Sequence, residues 1–258
     1  MRKHVVCGIL CFCLIATVVI SGCIGVPDAE KKLIVVGIGE NNPPYGYPDA
    51  NETYVGLDVE SIEWIAKQNG YDVAYLGLPW TGIVENVANG TVDILYCGLT
   101  ITPERSEIVD FSDPYMIVNF AIAVLPNSSL TKEDVLSGNV SISTQTDGTS
   151  HVWTEKNLNE TGILAEGNLR PQATIDDAFV MLAEGKCDAI IYDEVTVNSY
   201  VARGLAKNIG VIEVNELYGV AVRKGDNETL QMINKGIADL QASPKWQELL
   251  DKYGVVLS

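Results

Sequence analysis

Residues 97–105 and 110–115 combine residue types suited to holding a small anion. Val92-Asp93-Ile94-Leu95-Tyr96 is apolar and β-prone, so a buried strand is expected to end near Gly98. Thr102 has the character of an N-cap, and Pro103 suits the first helical position. Arg105 then falls in the first turn. A helix N-terminus carries unsatisfied N–H groups and partial positive charge. A guanidinium added there can hold one carboxylate through two parallel bonds. Gly98 lets a ligand approach the backbone, and Thr100 offers a hydroxyl. The same residues also fit an Arg105 that pairs with Glu104 or Asp110 on a solvated helix face.

The surrounding elements alternate between strand and helix, which gives an α/β chain. Leu33-Ile34-Val35-Val36-Gly37-Ile38 reads as a buried strand, and the prolines and glycine of 41–47 force a loop. Leu57, Ser61, Ile62 and Ile65 share one face of a helix that starts near residue 56. Strand 71–76 leads to a loop around Trp80 and a short helix at 83–88. A strand at 120–125, a helix at 131–135 and a strand at 140–143 follow. Residues 145–151 form a glycine- and hydroxyl-rich loop ahead of a helix, able to present N–H groups and hydroxyls to a carboxylate. An amphipathic helix at 176–184 is stopped by Gly185. The buried strand 187–192 ends at Asp193, and ligands of open α/β sheets bind at such carboxyl ends. Asp193 is equally placed to cap a helix at 195–200. Amphipathic helical sequence fills most of 230–253, with a final helix opened by Ser243-Pro244.

Gly98-Leu99-Thr100-Ile101-Thr102-Pro103-Glu104-Arg105, followed by Val109-Asp110-Phe111-Ser112-Asp113-Pro114-Tyr115, closely resembles the polar amino-acid-binding family of extracytoplasmic solute-binding proteins. Members deliver substrate to ABC transporters. The resemblance extends from about residue 32 to residue 253. It implies a two-lobe periplasmic-binding-protein fold of type II, with two crossing strands as hinge and the ligand in the cleft. Lobe one would be 33–121 and 217–258, and lobe two 122–216. The implied ligand is a free L-amino acid. Arg105 would take its carboxylate, helped by Gly98, Thr100 and the matching Gly148-Thr149-Ser150, with Ser150 the second-lobe hydroxyl. Asp193 would take the ammonium, and Trp80 would pack on the side chain unless it is a core tryptophan. Asp58 matches a helix-start position with a structural part to play. Two positions depart from the family. A ligand-binding carboxylate aligns near Gly39, where adjacent Glu40 is the substitute, and Asn42 stands where an aromatic or apolar contact is usual. His151 is either a helix-start surface residue or a side-chain contact.

Composition sets the bounds. The chain has 258 residues, 47% hydrophobic and 20% charged, which is globular composition. A net charge of −17 argues against nucleic acid or an anionic membrane face as partner. Arg2, Lys3 and His4 precede an apolar run at 5–20, the pattern of a signal peptide. Ile20-Ser21-Gly22-Cys23 resembles a lipobox, implying cleavage after residue 22, a lipid on Cys23 and a polar linker to residue 32. An uncleaved helical anchor is the alternative. Both place the protein outside the cytoplasm, tethered to the outer face of the cytoplasmic membrane. Cleavage takes the charge to −19, because Arg2 and Lys3 leave with the peptide and no acid does. Only Cys97 and Cys187 remain in the fold, on different lobes, so no disulfide is expected. No residue cluster indicates a metal or cofactor. Asn-x-Ser/Thr occurs at Asn51, Asn89, Asn127, Asn139, Asn159 and Asn227, where chance gives roughly two; this points to surface glycosylation or to polar turn composition. The expected partners are an amino acid and a membrane permease, with the protein itself a monomer. A sensing module for a separate receptor is the alternative, followed by a dehydratase-like enzyme using Glu40 and His151 as acid and base.

Overall fold

The computed structural model describes residues 32–257. The signal segment, Cys23 and the linker up to residue 31 lie outside the described residues. The strands are β1 (Lys32–Gly39), β2 (Tyr47–Pro48), β3 (Tyr54–Val55), β4 (Tyr71–Leu78), β5 (Ile94–Leu95), β6 (Val109–Phe111), β7 (Met116–Val124), β8 (Ile142–Ser143), β9 (Ala189–Asp193), β10 (Lys207–Tyr218) and β11 (Ala221–Arg223). The helices are α1 (Leu57–Gln68), α2 (Glu85–Ala88), α3 (Pro103–Ile108), α4 (Lys132–Leu136), α5 (Thr149–Thr154), α6 (Ile175–Ala183), α7 (Glu194–Ala202), α8 (Asn227–Gln241) and α9 (Pro244–Tyr253). A π-helical turn, Glu155–Asn159, continues α5. Among the described residues, no helix is long and apolar enough to cross a membrane.

Two sheets organise the chain. The first has the order β4-β1-β5-β11-β6, and the second β10-β7-β9-β8. In β1, Ile34, Val36 and Ile38 pack beneath Ile62 and Ile65 of α1, Ile233 and Ile237 of α8 and Leu249 of α9. Val35 faces the other way, toward Val87, Leu95 and Leu78. The alternation follows from the two-residue period of a strand. β9 is buried on both faces: Ala189 and Ile191 join one core, Ile190 and Tyr192 another. A strand covered on both sides reads as an unbroken apolar run, as residues 189–192 do.

Strands β7 and β10 run antiparallel from one core to the other. Met116, Val118 and Tyr218 belong to the first core, while Phe120, Ile122, Val124 and Ile212 belong to the second. Their register is broken twice. Ile212 pairs with Phe120 and Glu216 with Val118, so β10 advances four residues where β7 advances two. The side chain of Asn119 accepts the spare N–H groups of Val214 and Asn215 at 3.1 and 3.0 Å. A bulge of this kind re-aims the side chains that follow it.

Candidate functional site

Thr102 caps α3 by accepting the Arg105 N–H at 3.2 Å, with Pro103 at the first helical position. The Arg105 guanidinium does not reach Glu104 or Asp110. Its Nη1 donates to the Thr100 carbonyl at 2.9 Å, and its Nη2 to the Asp147 carbonyl at 3.5 Å. It lies 5.7 Å from the Trp80 ring centroid. Asp110 instead faces Lys224 at 3.8 Å and the Gly225 N–H. Among the described residues, Arg105 has no carboxylate partner. The cleft-facing alternative therefore describes this arginine, and its cation is open to an anion.

Gly98 differs from expectation. Its N–H is taken by Asp58 Oδ2 at 2.7 Å. It has φ +66°, and a Cβ there would stand 2.9 Å from the Tyr45 ring. Gly98 makes room for protein rings. Asp58 also accepts from the Tyr115 hydroxyl at 2.8 Å, tying α1 to the loop that carries Arg105. Thr100 is buried and pairs with Tyr218, flanked by Ile101 N–H to Leu217 O at 2.8 Å and Gly219 N–H to Leu99 O at 3.0 Å. The Arg105 loop is thereby laced to the end of β10.

The loop before α5 brings Thr149 forward and turns Ser150 inward. Ser150 Oγ is fully buried against Thr144 Oγ1 at 2.8 Å, contrary to its expected place on the ligand carboxylate. The Thr149 hydroxyl donates to Glu216 Oε2 at 2.7 Å. Asp147, with φ +60°, offers its carbonyl to Arg105 and its Oδ2 to the Thr81 hydroxyl at 2.8 Å. His151 Nδ1 accepts the Asp147 N–H at 3.2 Å, which holds this loop rather than a ligand.

Asp193 lies at the carboxyl end of β9, at the N-cap position of α7, yet its side chain makes no capping bond. It accepts the Tyr218 hydroxyl instead. Burial pushes its carboxyl up to about 7; the Tyr218 bond and Arg105 oppose that rise, and Glu216 adds to it. Burial also raises Glu216, against the hydroxyls of Thr149 and Thr100 and the charge of Arg105. Thr100 Oγ1 reaches the same Glu216 oxygen at 2.8 Å. Arg105, pulled below its ordinary value by burial, feels both acids.

Trp80 is half-buried, and its Nε1 is buried with no hydrogen-bond partner. Its ring faces Gly39, and it lines a narrow crevice with Glu40, Asn41, Asn42 and Gln145. Glu40 is exposed at that rim. Asn42 is not a free side-chain selector. It is buried, donates to the Cys97 carbonyl at 3.2 Å and accepts from Thr196 at 3.4 Å, joining the loop after β1 to α7. Cys97 and Cys187 are both buried free thiols, pushed up by burial to about 12 and about 11. Burial disfavours the nucleophilic thiolate in both.

Arg105 and Thr149 line one hollow with Glu216; Thr100 joins them through the same Glu216 oxygen, the Trp80 ring lies beside Arg105, and Asp193 is buried within electrostatic reach of Arg105 and Glu216. Ser150, Gly98, His151 and Asn42 bond to or pack against protein groups, and Glu40 lines the separate crevice beside Trp80. Glu216, Tyr218 and Asp147 were not expected around Arg105 and Asp193. Glu216 lines a hollow of about 560 Å³ with Arg105 and Thr149. The only signal for Glu216 in the sequence is an acid within a crossing strand, two residues before Tyr218.

The chain matches the bacterial extracellular solute-binding proteins, family 3, over residues 34–256. A probable histidine-binding protein of Neisseria gonorrhoeae is 26% identical over 268 residues, 98% of this chain and 96% of that protein. An ancestral arginine-binding protein, solved bound to arginine, is similar with TM-score 0.78 and 30% identity, over 86% of this chain and 98% of that one. The substrate-binding protein of an amino acid ABC transporter is similar with TM-score 0.76 and 28% identity, over 86% and 98%. The fold shared with these structures is the two-lobe, type II periplasmic-binding-protein fold.

Proposed function

Because the chain belongs to the bacterial extracellular solute-binding proteins, family 3, we propose that it is the extracytoplasmic substrate-binding component of an ABC transporter and takes a free L-α-amino acid by cleft closure. One observation carries the reading. A guanidinium with no carboxylate partner among the described residues lies within electrostatic reach of a buried carboxylate at the end of β9, the complement of a zwitterion. Arg105 takes the carboxylate; Thr100 and Thr149 lie close by, with their hydroxyls on Glu216. Asp193 takes the ammonium, and Trp80 packs on the side chain. The lobes are 33–121 with 217–258, and 122–216, hinged on β7 and β10. The membrane partner is a permease; a lipid on Cys23, after removal of 1–22, tethers a monomer to the outer face of the cytoplasmic membrane. The buried thiols and the occupied His151 Nδ1 argue against enzymatic chemistry.

The test is a thermal-shift screen of residues 27–258 against the common L-amino acids, after unfolding and refolding to strip bound ligand. A ligand at 100 times its dissociation constant adds about 2.7 kcal/mol, a rise of roughly 5–10 °C. One or a few amino acids should give that rise. Arg105→Ala should weaken binding at least ~30-fold, since removing one partner of a buried charge pair costs ~2–5 kcal/mol. No rise with any amino acid, or unchanged affinity in the variant, overturns the assignment.

A further inference from the structure

We infer that Glu216, aimed into the cleft by the bulge in β10, is a specificity-determining residue that selects an amino acid with a positively charged side chain. The inference rests on the proposed zwitterion site and extends it by one charge.

A single oxygen, Glu216 Oε2, accepts hydroxyls from both lobes: Thr100 at 2.8 Å and Thr149 at 2.7 Å. Both partners are neutral. Arg105 and Asp193 are near enough to feel the Glu216 charge, but neither pairs with it directly. Once an amino acid is bound, its carboxylate neutralises Arg105 and its ammonium neutralises Asp193. Glu216 is left as one uncompensated negative charge among half-buried walls. An unpaired buried charge is costly, and hydroxyl donors only partly offset that cost.

The other charges nearby do not balance it. Lys156 lines the same hollow but is exposed and acts on Glu104. Glu40 and Asp147 are exposed acids and add charge of the same sign. The cleft is therefore balanced by a ligand of net charge +1, and a second carboxylate on the ligand is repelled. The placement of Glu216 follows from the chain: β10 gains two residues on β7 between Ile212 and Glu216, and Asn119 holds the extra backbone.

The experiment is calorimetric titration with arginine and with citrulline, which has the same length and a neutral side chain. Both ligands are titrated into refolded wild-type protein and into Glu216→Gln, which keeps an oxygen for the two threonines. Wild type should bind arginine at least tenfold more tightly than citrulline. In the variant that ratio should fall below threefold, chiefly through loss of arginine affinity. A wild-type ratio below threefold overturns the inference without need of the variant. So does an unchanged ratio in Glu216→Gln. Equal tightening of both ligands in the variant would make Glu216 a competitor for the ligand carboxylate, and also overturns it. If citrulline or another neutral amino acid binds well and arginine does not, the charge assignment fails while the amino-acid site stands. If no amino acid binds either protein, the proposed function itself fails.

Discussion

The Tyr218 hydroxyl, at the end of β10, donates to the carboxylate of Asp193, at the end of β9. The bond explains why Asp193 sits at the start of α7 without capping it. Tyr218 is fully buried and packs edge-on against Tyr45 at 5.4 Å. Tyr218→Phe keeps that ring and removes only the donor. The Asp193 carboxyl should then rise further, because the bond favours its ionised form. Amino-acid affinity at pH 7 should drop by about five- to tenfold, as expected for losing one charge-assisted hydrogen bond. The deficit should narrow at pH 9, where Asp193 is ionised in both proteins. A deficit equal at both pH values would mean that the tyrosine acts by packing alone.

Ligand affinity should itself depend on pH. With Asp193 near 7, the protonated form dominates below pH 7 and cannot pair with an ammonium. Binding then releases a proton, so affinity should fall about tenfold from pH 8 to pH 6. Titration in two buffers of different ionisation enthalpy would count the proton. In Asp193→Asn, which binds more weakly throughout, the slope between pH 6 and 8 should flatten.

Stability should show the opposite sign. Asp58 is fully buried, pushed up from 3.8 to about 7 by burial against the pull of Tyr115 and Gly98. Between pH 4 and pH 7 the folded chain keeps a proton that the unfolded chain has lost. The unfolded state therefore gains as pH rises, and the loss stops above about 7. The slope is at most ~1.4 kcal/mol per pH unit for this group. Asp58→Asn should remove that component. Urea midpoints for wild type and variant at pH 4.5, 6 and 8 would show their difference shrinking or reversing with pH; a constant difference would mean that Asp58 is ionised throughout.

Local chemistry made part of the site legible. Thr102, Pro103 and Arg105 announce a capped helix within four residues, and Asp193 ends an unbroken apolar strand. The direction of a side chain at an irregularity was not legible. Thr149 and Ser150 are adjacent hydroxyls at one helix start, and only the turn at Asp147 decides which faces the cleft. Glu216 is aimed by a bulge marked in the sequence only by Asn215, at φ +52°, and Tyr218 meets Asp193 across 25 residues of chain. Gly98 was legible as a close approach, but the approaching groups are Tyr45 and Tyr218. Alternating strands and helices follow from periodicity, whereas their assembly as two lobes came from resemblance.

The sequons fall on accessible positions. Asn51, Asn89, Asn127, Asn139 and Asn227 are exposed, and Asn159 is half-buried with its amide on Glu155 at 2.9 Å. None lines the cleft. Protein from its native host should therefore carry whole-glycan mass increments on peptides containing these asparagines, most completely at the exposed ones. Intact mass and peptide mapping, beside protein from a non-glycosylating host, would show them; equal masses would leave the sequons as turn composition.

Arg105→Lys separates charge from shape. The guanidinium spends one N–H on the Thr100 carbonyl, points another toward the Asp147 carbonyl and lies by the Trp80 ring. It can still present an edge to a carboxylate. A lysine keeps the charge, but its single ammonium cannot hold the loop and grip a planar carboxylate together. Affinity should fall about tenfold or more, between wild type and Arg105→Ala. The loss should lie mainly in faster dissociation, because the long-range charge that guides encounter is retained. Stopped-flow fluorescence of Trp80, with the other tryptophans replaced, would read both rates. A lysine variant with wild-type dissociation would show that Arg105 serves the site as a point charge, without the two-pronged grip.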